Sequence, residues 1–449
     1  MSTRLSRATE ALLSPRVQRP DYARDAQACG LVHLGIGAFH RAHQAVYTDD
    51  AMNAGDRDWA ITGVSLRSPD VNALLAPQDG LYTLSERGPA ANAPRLIGAV
   101  RRVLVASQDP AAVVNALASS DVHIVTLTVT EKGYVSRGAG SIYDYLGKAL
   151  MQRRVAGLGG LSLISCDNLP GNGERLAAAL GEYLEASDAE TARWFHRECA
   201  CPSSMVDRIV PLMSDAEKDA VAADIGMRDE GAVVTEHFRQ WVIEDRFAGP
   251  RPRWEAGGVQ VVADVRAYEA AKLRMLNGAH SALAYLGLAH GHEFVHQAIA
   301  DAAIAPLIDR LMRQEAAPTL PSVELDLMRY ADALIERFTN AALPHRLRQI
   351  AMDGSQKIPQ RWLDTLSWHS RQGQSCPALL TALAAWVDFV RGAGHVVDDP
   401  LAGQLAATWS REGRGGIVAA LFGPQGVFAG SWVCSEDERQ AVTRMLKAD

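Results

Sequence analysis

The amino-acid sequence predicts an α/β protein: a parallel-sheet domain at the N-terminus followed by a mainly α-helical C-terminal domain. Two patterns carry this prediction. Apolar runs of strand length alternate with helical periodicity as far as Asp264, after which strand signals nearly vanish. A glycine turn, Gly35-Ile36-Gly37, joins the first buried strand to the first helix, and a strand, turn and helix repeated in this way build a sheet covered on both faces.

The first 30 residues carry no strong pattern and are expected to drape over a domain. Residues 31–39, LVHLGIGAF, read as a buried strand entering the glycine turn, and HRAHQAVYTDDAMNAG continues as a helix. Strands follow at 59–66, in VRRVLVA, at 122–130 and at 161–168, separated by helices at 109–119 and 142–156. From 174 to 224 the pattern is helical, with 201–211, CPSSMVDRIVP, as a proline-bounded break. EHFRQWVIED and GVQVVAD look extended and finish the domain. Long helices are expected at 293–314, 323–339 and 377–391. The change of pattern sets the domains at 1–264 and 265–449.

At 449 residues and a net charge of -7, the chain suits two domains and shows no basic stripe that would track a phosphate backbone. Nucleic acid is not an expected partner; a small anionic or neutral ligand is. The six cysteines are dispersed, without zinc-site CxxC pairs, so reduced thiols in a cytoplasm are expected. The start, MSTRLSRATEALLSP, lacks the apolar core of a signal peptide, and no segment approaches about 18 uninterrupted apolar residues. A soluble cytoplasmic protein with no membrane partner is the expectation.

One stretch, 264–287, holds Glu269, Lys272, Asn277 and His280 inside a mostly apolar helix. With Lys272 at zero on an ideal helical wheel, Glu269 falls at about 60°, His280 at about 80° and Asn277 at about 140°, so half of the helix surface can present all four. Such a face either meets solvent, as amphipathic helices do, or lines a polar cavity, because burying unpaired polar groups is costly.

In parallel sheets, ligands bind beyond the carboxyl ends of the strands. Here those ends carry the glycine turn, Thr130-Glu131 and Asp167-Asn168. Gly35 permits a tight turn and Gly37 a close approach of a pyrophosphate, though His40 stands where a third glycine would complete a dinucleotide fingerprint. The first carboxylate after the second strand is Asp70, and Arg67 either accommodates a 2′-phosphate or is simply solvated, which leaves NAD against NADP open. Asn168 either caps a turn or serves a site, and Asp207 beside Arg208 has a structural ion pair as its plain reading. DGSQKIPQR, at 353–361, reads as a turn with two exposed cations, Lys357 and Arg361, of the kind that recognise carboxylates when they face a site. No HExxH, GxSxG or GxxxxGK[ST] occurs, which removes the usual zinc protease, serine hydrolase and P-loop readings.

Seven segments in order, GIGAFHRAHQAVY, TVTEKGY, SCDNLPGNG, CPSSMVDRIVP, FRQWVIED, YEAAKLRMLNGAHSALAYLG and IAMDGSQKIPQR, make the chain resemble the long-chain mannitol and polyol dehydrogenase family, specifically its fructuronate reductase branch. The resemblance implies a metal-independent, usually monomeric NAD-dependent dehydrogenase with an N-terminal Rossmann-type domain and a helical C-terminal domain. It implies Lys272 as general acid/base, Asn168 and Asn277 as the pair polarising the reacting oxygen, and His280 as the residue orienting substrate or lysine. It matches Asp207 and Lys357 to substrate hydroxyl contacts and Glu269 to a proton gate. Gly35, Gly37, Phe39, His40, Arg41, Arg67, Thr130 and Glu131 are the expected cofactor contacts.

Mannitol 2-dehydrogenases of this family generally carry an arginine where Gln349 stands, and the uronate branch tends to carry the His345-Arg346 pair. Arg361, with Arg346 after it, is therefore expected to face a substrate carboxylate. Reduction of D-fructuronate to D-mannonate is the expected reaction, with a mannitol or arabinitol dehydrogenase as the alternative. A non-catalytic NAD(H) sensor is a third reading, disfavoured because a sensor needs no proton donor.

Overall fold

The strands form because both faces of their sheet are buried. The computed structural model describes residues 3–88, 92–321, 325–430 and 432–448, except for the side chains of Glu131 and Lys132. The chain divides into two compact units, Met1–Arg266 and Ala267–Asp449.

The first unit holds strands β1 (Leu31–Leu34), β2 (Ile61–Ser65), β3 (Tyr82–Arg87), β4 (Arg95–Ile97), β5 (Val100–Val105), β6 (Ile124–Leu127), β7 (Ser162–Ser165), β8 (Ser204–Asp207), β9 (Val233–Glu236), β10 (Gln240–Glu244) and β11 (Gln260–Val262). Five of them make an all-parallel sheet in the order β5-β2-β1-β6-β7. Successive side chains point to opposite faces. Leu31, Ile61, Ile124 and Ile164 therefore join one buried cluster, and Val32, Val64, Val125 and Leu163 the other. The chain builds outward from β1 through β2 to β5, then returns to β6 on the other side, which makes the carboxyl ends of β1 and β6 the switch point of the topology.

Two small mixed sheets complete this unit: β4-β3-β9, and β11-β10-β8. The break at 201–211 thus contains a strand, β8, paired antiparallel to β10. Strands β3 and β4 lie in a region without a clear sequence pattern, because β3 is buried only along its first half and β4 is three residues long.

The second unit is helical among its described residues. Helix Gly278–Ala289 is apolar nearly all round and buried, packing against Pro377–Phe389, Val295–Ala300 and Leu347–Ile350. The expected helix at 293–314 is divided into Val295–Ala300, Ala305–Arg310 and a π-helical turn, Leu311–Ala316. Asp301 ends the first piece and Pro306 opens the second, a position where proline lacks no needed N–H. The helix expected at 323–339 runs Leu327–Phe338, capped by Asp326, while 323 and 324 fall outside the described residues. No described helix is long and apolar enough to cross a membrane.

A polar seam crosses the apolar switch point. His33 on β1 is fully buried, its Nδ1 lying 2.7 Å from Thr126 Oγ1 and its Nε2 2.9 Å from Thr128 Oγ1. The Thr128 hydroxyl donates to the Gly35 carbonyl at 2.9 Å. Its single proton being spent there, it accepts from His33 Nε2–H, so Thr126 donates to Nδ1 and the imidazole is neutral. Burial pushes the His33 pKa from 6.5 down to about 3.

The unfolded chain therefore binds a proton near pH 6.5 that the folded chain refuses until about pH 3. The stability due to neutral His33 is complete above pH 6.5 and drains as the pH falls. Between pH 7.5 and 5.5, an interval centred on the unfolded pKa, urea unfolding should show a loss to which His33 contributes about 1.4 kcal/mol in total. Its slope rises toward about 1.4 kcal/mol per pH unit only below that range. His33→Gln should lower that loss, and an unchanged loss would count against the neutral imidazole.

Candidate active site

In the first unit, the switch point brings together the glycine turn and the segment after β6. Gly35 has a φ of +97°, and a β-carbon there would overlap the Thr128 carbonyl oxygen, so both conformation and space demand glycine. Gly37 is different: a β-carbon would meet nothing nearer than the Gly35 oxygen at 3.8 Å. Packing does not require glycine at 37, whereas a ligand lying against the backbone would.

Thr130 adopts a left-handed φ of 60°, rare for a β-branched residue. The Asp167 carboxylate at the end of β7 holds it there, accepting the Thr130 N–H at 2.8 Å, the Val129 N–H at 3.0 Å and the Tyr134 hydroxyl at 2.8 Å. Strain fixed this way is characteristic of functional loops. The side chain of Glu131 lies outside the described residues.

Asn168 follows Asp167 and is exposed. Its neighbour in the motif, Asn172, is fully buried and is a clamp: its amide donates to the Asp167 and Ser204 carbonyls and its oxygen accepts the Ser204 N–H. Asn172 thereby ties the loop carrying Asn168 to β8, which ends in Asp207. Asp207 is buried. Arg208 beside it takes Glu86 as its ion-pair partner and donates to the Ala42 and Glu236 carbonyls.

Beyond the glycine turn, His40 stacks on His33 with ring centroids 3.5 Å apart, and Phe39 stacks on His43. Both ring nitrogens of His40, Nε and Nη1 of Arg41, and both amide atoms of Gln44 are buried without a hydrogen-bond partner. Burial lowers the Arg41 pKa, with the Tyr82 hydroxyl and Asp229 opposing it. Orphaned buried donors beside an open glycine fit an anionic group such as a pyrophosphate. Gln44 had no sequence signal beyond its place in the helix. Arg67 is exposed after β2, with no carboxylate before Asp70.

In the second unit, the helix expected across 264–287 is not regular. Arg266–Ala271 is α-helical, Lys272–Asn277 is a π-helical turn, and Gly278–Ala289 is α-helical again. The wider turn takes up one extra residue, so the ideal wheel does not give the angles between Lys272 and His280, and π turns gather at functional sites. Glu269, Lys272, Asn277 and His280 are all half-buried. The π turns Leu311–Ala316 and Pro359–Leu363 both pack against Lys272–Asn277.

The stretch expected as a turn with exposed cations is thus helical, Gly354–Ile358 running into that π turn, and Lys357 and Arg361 are half-buried. Asp399 locks its start by accepting from the Ser355 N–H at 2.7 Å and hydroxyl at 2.6 Å. Arg361 Nη1 donates to Ser281 Oγ at 2.7 Å and the Asn277 carbonyl at 3.3 Å. Lys357 Nζ donates to the Met352 carbonyl at 2.6 Å. Among the described residues, every hydrogen-bond acceptor of these two cations is neutral. Burial lowers both, Arg361 to about 10, and for Lys357 the Arg361 charge adds to the effect.

His280 meets His345 edge to face at 4.9 Å and stacks on Phe338. Its pKa is held well below 6.5 by burial first, then by His345 and by Arg337, Arg361 and Lys357. A neutral imidazole in a cationic environment can orient groups by hydrogen bonds without adding charge. Arg346 is elsewhere in its contacts: exposed, paired with Glu293 and lying over the Phe294 ring. Asn277, His280, Lys357 and Arg361 are therefore brought together by contact or field, and Arg346 is not part of that group.

Two family descriptions match the chain, the mannitol dehydrogenase Rossmann domain over residues 29–256 and the mannitol dehydrogenase C-terminal domain over residues 264–431. D-mannonate oxidoreductase of Escherichia coli (strain K12) is 38% identical, over 95% of this chain and 94% of its own. Among solved structures, the Pseudomonas fluorescens mannitol 2-dehydrogenase ternary complex with NAD and D-mannitol is 34% identical with a TM-score of 0.82, covering 99% of this chain and 96% of that one. A D-sorbitol dehydrogenase in substrate-free form is 30% identical with a TM-score of 0.89, covering 98% and 97%. The glycine turn at the switch point and the lysine-bearing π turn thus stand in a sequence alike along nearly its whole length to these dehydrogenases, and the chain belongs to the mannitol dehydrogenase family.

Proposed function

We propose that this protein interconverts D-fructuronate and D-mannonate with NAD, using Lys272 as general acid/base. The observation that carries the choice of a uronate is the pair of half-buried cations, Lys357 and Arg361, whose described hydrogen-bond acceptors are all neutral. Buried cations favour an anionic partner, and a guanidinium suits a carboxylate. The similarity to D-mannonate oxidoreductase supports the same reading.

Gly35, Gly37, Phe39, His40, Arg41 and Thr130 would hold the dinucleotide, which supplies a hydride to the C5 carbonyl carbon when bound as NADH. As the carbonyl becomes an alcohol, negative charge gathers on its oxygen. The Lys272 ammonium gives a proton from Nζ to that oxygen, while the side-chain amides of Asn168 and Asn277 stabilise it. Neutral His280 orients substrate or lysine, and Asp207 accepts from a substrate hydroxyl. Glu269 passes the lysine proton to solvent. In the oxidative direction Lys272 must be neutral to accept the proton, so the rate rises with pH.

A second reading is a polyol dehydrogenase of the mannitol type, favoured by the similarity to mannitol 2-dehydrogenase. The two separate in a spectrophotometric panel of NADH and NADPH against fructuronate, tagaturonate and fructose. Fructuronate with NADH should be fastest; a preference for fructose would establish the polyol reading, and equal slow rates on all three would sink both.

Lys272→Ala should lower turnover at least about hundredfold and abolish the rise of the oxidation rate with pH, consistent with general acid/base catalysis. Turnover within about tenfold of the parent would assign the proton transfer elsewhere. Arg361→Ala frees the Asn277 carbonyl and should lower kcat on every substrate, so the informative quantity is KM. A lost charge-assisted hydrogen bond of about 1.5–3 kcal/mol should raise KM for fructuronate about tenfold or more beyond any change for fructose. Equal changes would remove the carboxylate from Arg361.

A further inference from the structure

At the far end of the helix that follows the Lys272–Asn277 turn, His290, Gly291 and His292 close the C-terminus. Gly291 has a φ of +85°, and the His292 N–H donates to the Gly287 carbonyl at 2.9 Å. This left-handed cap reverses the chain tightly enough to aim both imidazoles at one acceptor. That acceptor is Asp301, at the C-terminal end of Val295–Ala300. His290 Nδ1 and His292 Nε2 each lie 2.9 Å from the same oxygen, Asp301 Oδ2. The other oxygen, Oδ1, accepts the Ala303 N–H at 2.8 Å, which fixes the carboxylate plane.

We propose that His290, His292 and Asp301 form a binding site for a divalent first-row transition metal ion, zinc(II) being the occupant its chemistry fits. The three ligand atoms lie within 4.8 Å of one another. Two imidazole nitrogens and one carboxylate oxygen are a recurrent zinc set, and metal-ligand bonds of about 2.0–2.2 Å can be reached from a triad this tight by small side-chain rotations. The set is too rich in nitrogen for magnesium or calcium, which take oxygen ligands. The site opens to solvent, with His290, His292 and Asp301 side chains 41%, 28% and 20% exposed, so water completes the coordination.

No lysine or arginine among the described residues pairs with Asp301, and the two imidazoles with the Ala303 amide hold its carboxyl well below the usual range, so the ligand is charged at neutral pH. Without metal, each imidazole presents an N–H to the same oxygen; with metal, each turns the lone pair of that nitrogen inward and carries its N–H on the other ring nitrogen. The ion joins the C-terminal end of Gly278–Ala289, the helix carrying His280, to the C-terminal end of Val295–Ala300. It therefore stabilises the folded second unit without touching the reacting groups.

The test uses the full chain, dialysed against chelator and titrated with zinc sulfate by calorimetry and with cobalt(II) by absorption. One equivalent should bind, with visible cobalt bands and no near-ultraviolet thiolate band from the six free cysteines. Zinc should raise the thermal midpoint where magnesium does not. His292→Ala and Asp301→Asn should each weaken zinc binding at least about tenfold and lose the thermal gain, while circular dichroism in chelator matches the parent. His290→Ala replaces either variant if it fails to fold. No saturable uptake, a thiolate band, or binding unchanged in a folded variant overturns the site.

Discussion

The first unit depends on hydrogen bonds that cross the switch point of its sheet. Parallel strands buried on both faces supply apolar contact but leave nothing to fix the loops at their ends. Here the Thr128 hydroxyl stands between His33 and the Gly35 carbonyl, joining β1 to β6 where the two diverge. Asp167 does the same between β6 and β7, gathering two backbone amides and the Tyr134 hydroxyl. An unpaired histidine or carboxylate in this position would cost several kcal/mol. Each is affordable only because the loop adopts one shape, so the polar groups specify the geometry that the apolar core leaves open.

Much of this was legible in the residues. The apolar runs at β1, β2, β6 and β7 announce themselves because strands buried on both faces carry no alternation to misread. The glycine turn was legible from its place between strand and helix. His33 and Thr126 could also have been found, since a polar residue inside a fully apolar strand must pair, and neighbouring strands are where its partner lies. The short β4, the half-exposed β3 and the proline-bounded β8 were not legible, because their burial comes from sheets assembled by distant segments.

The site in the second unit was legible as a set of residue types and not as geometry. Lys272, Asn277 and His280 stand out as polar residues in an apolar helix, but a single extra residue in a turn leaves no trace in composition or spacing. The half-burial of Lys357 and Arg361 was likewise invisible, since DGSQKIPQR has the glycine, proline and charge of a surface turn. What converts it into helix is Asp399, 44 residues beyond Ser355 in the chain. The His290, His292 and Asp301 group had a signal that was there to see, a histidine pair around a capping glycine with a carboxylate nine residues on.

The π-helical turn at Lys272–Asn277 has a consequence for how this chain tolerates change in length. An α-helix advances about 100° per residue, so removing one residue from the turn and restoring regular winding would swing everything beyond it by roughly that angle. Lys272 would stay with the chain before it, while Asn277 and His280 would move with the chain after it. Point substitutions within the turn are thus graded changes, whereas a one-codon deletion is a rotation of Asn277 and His280 against Lys272.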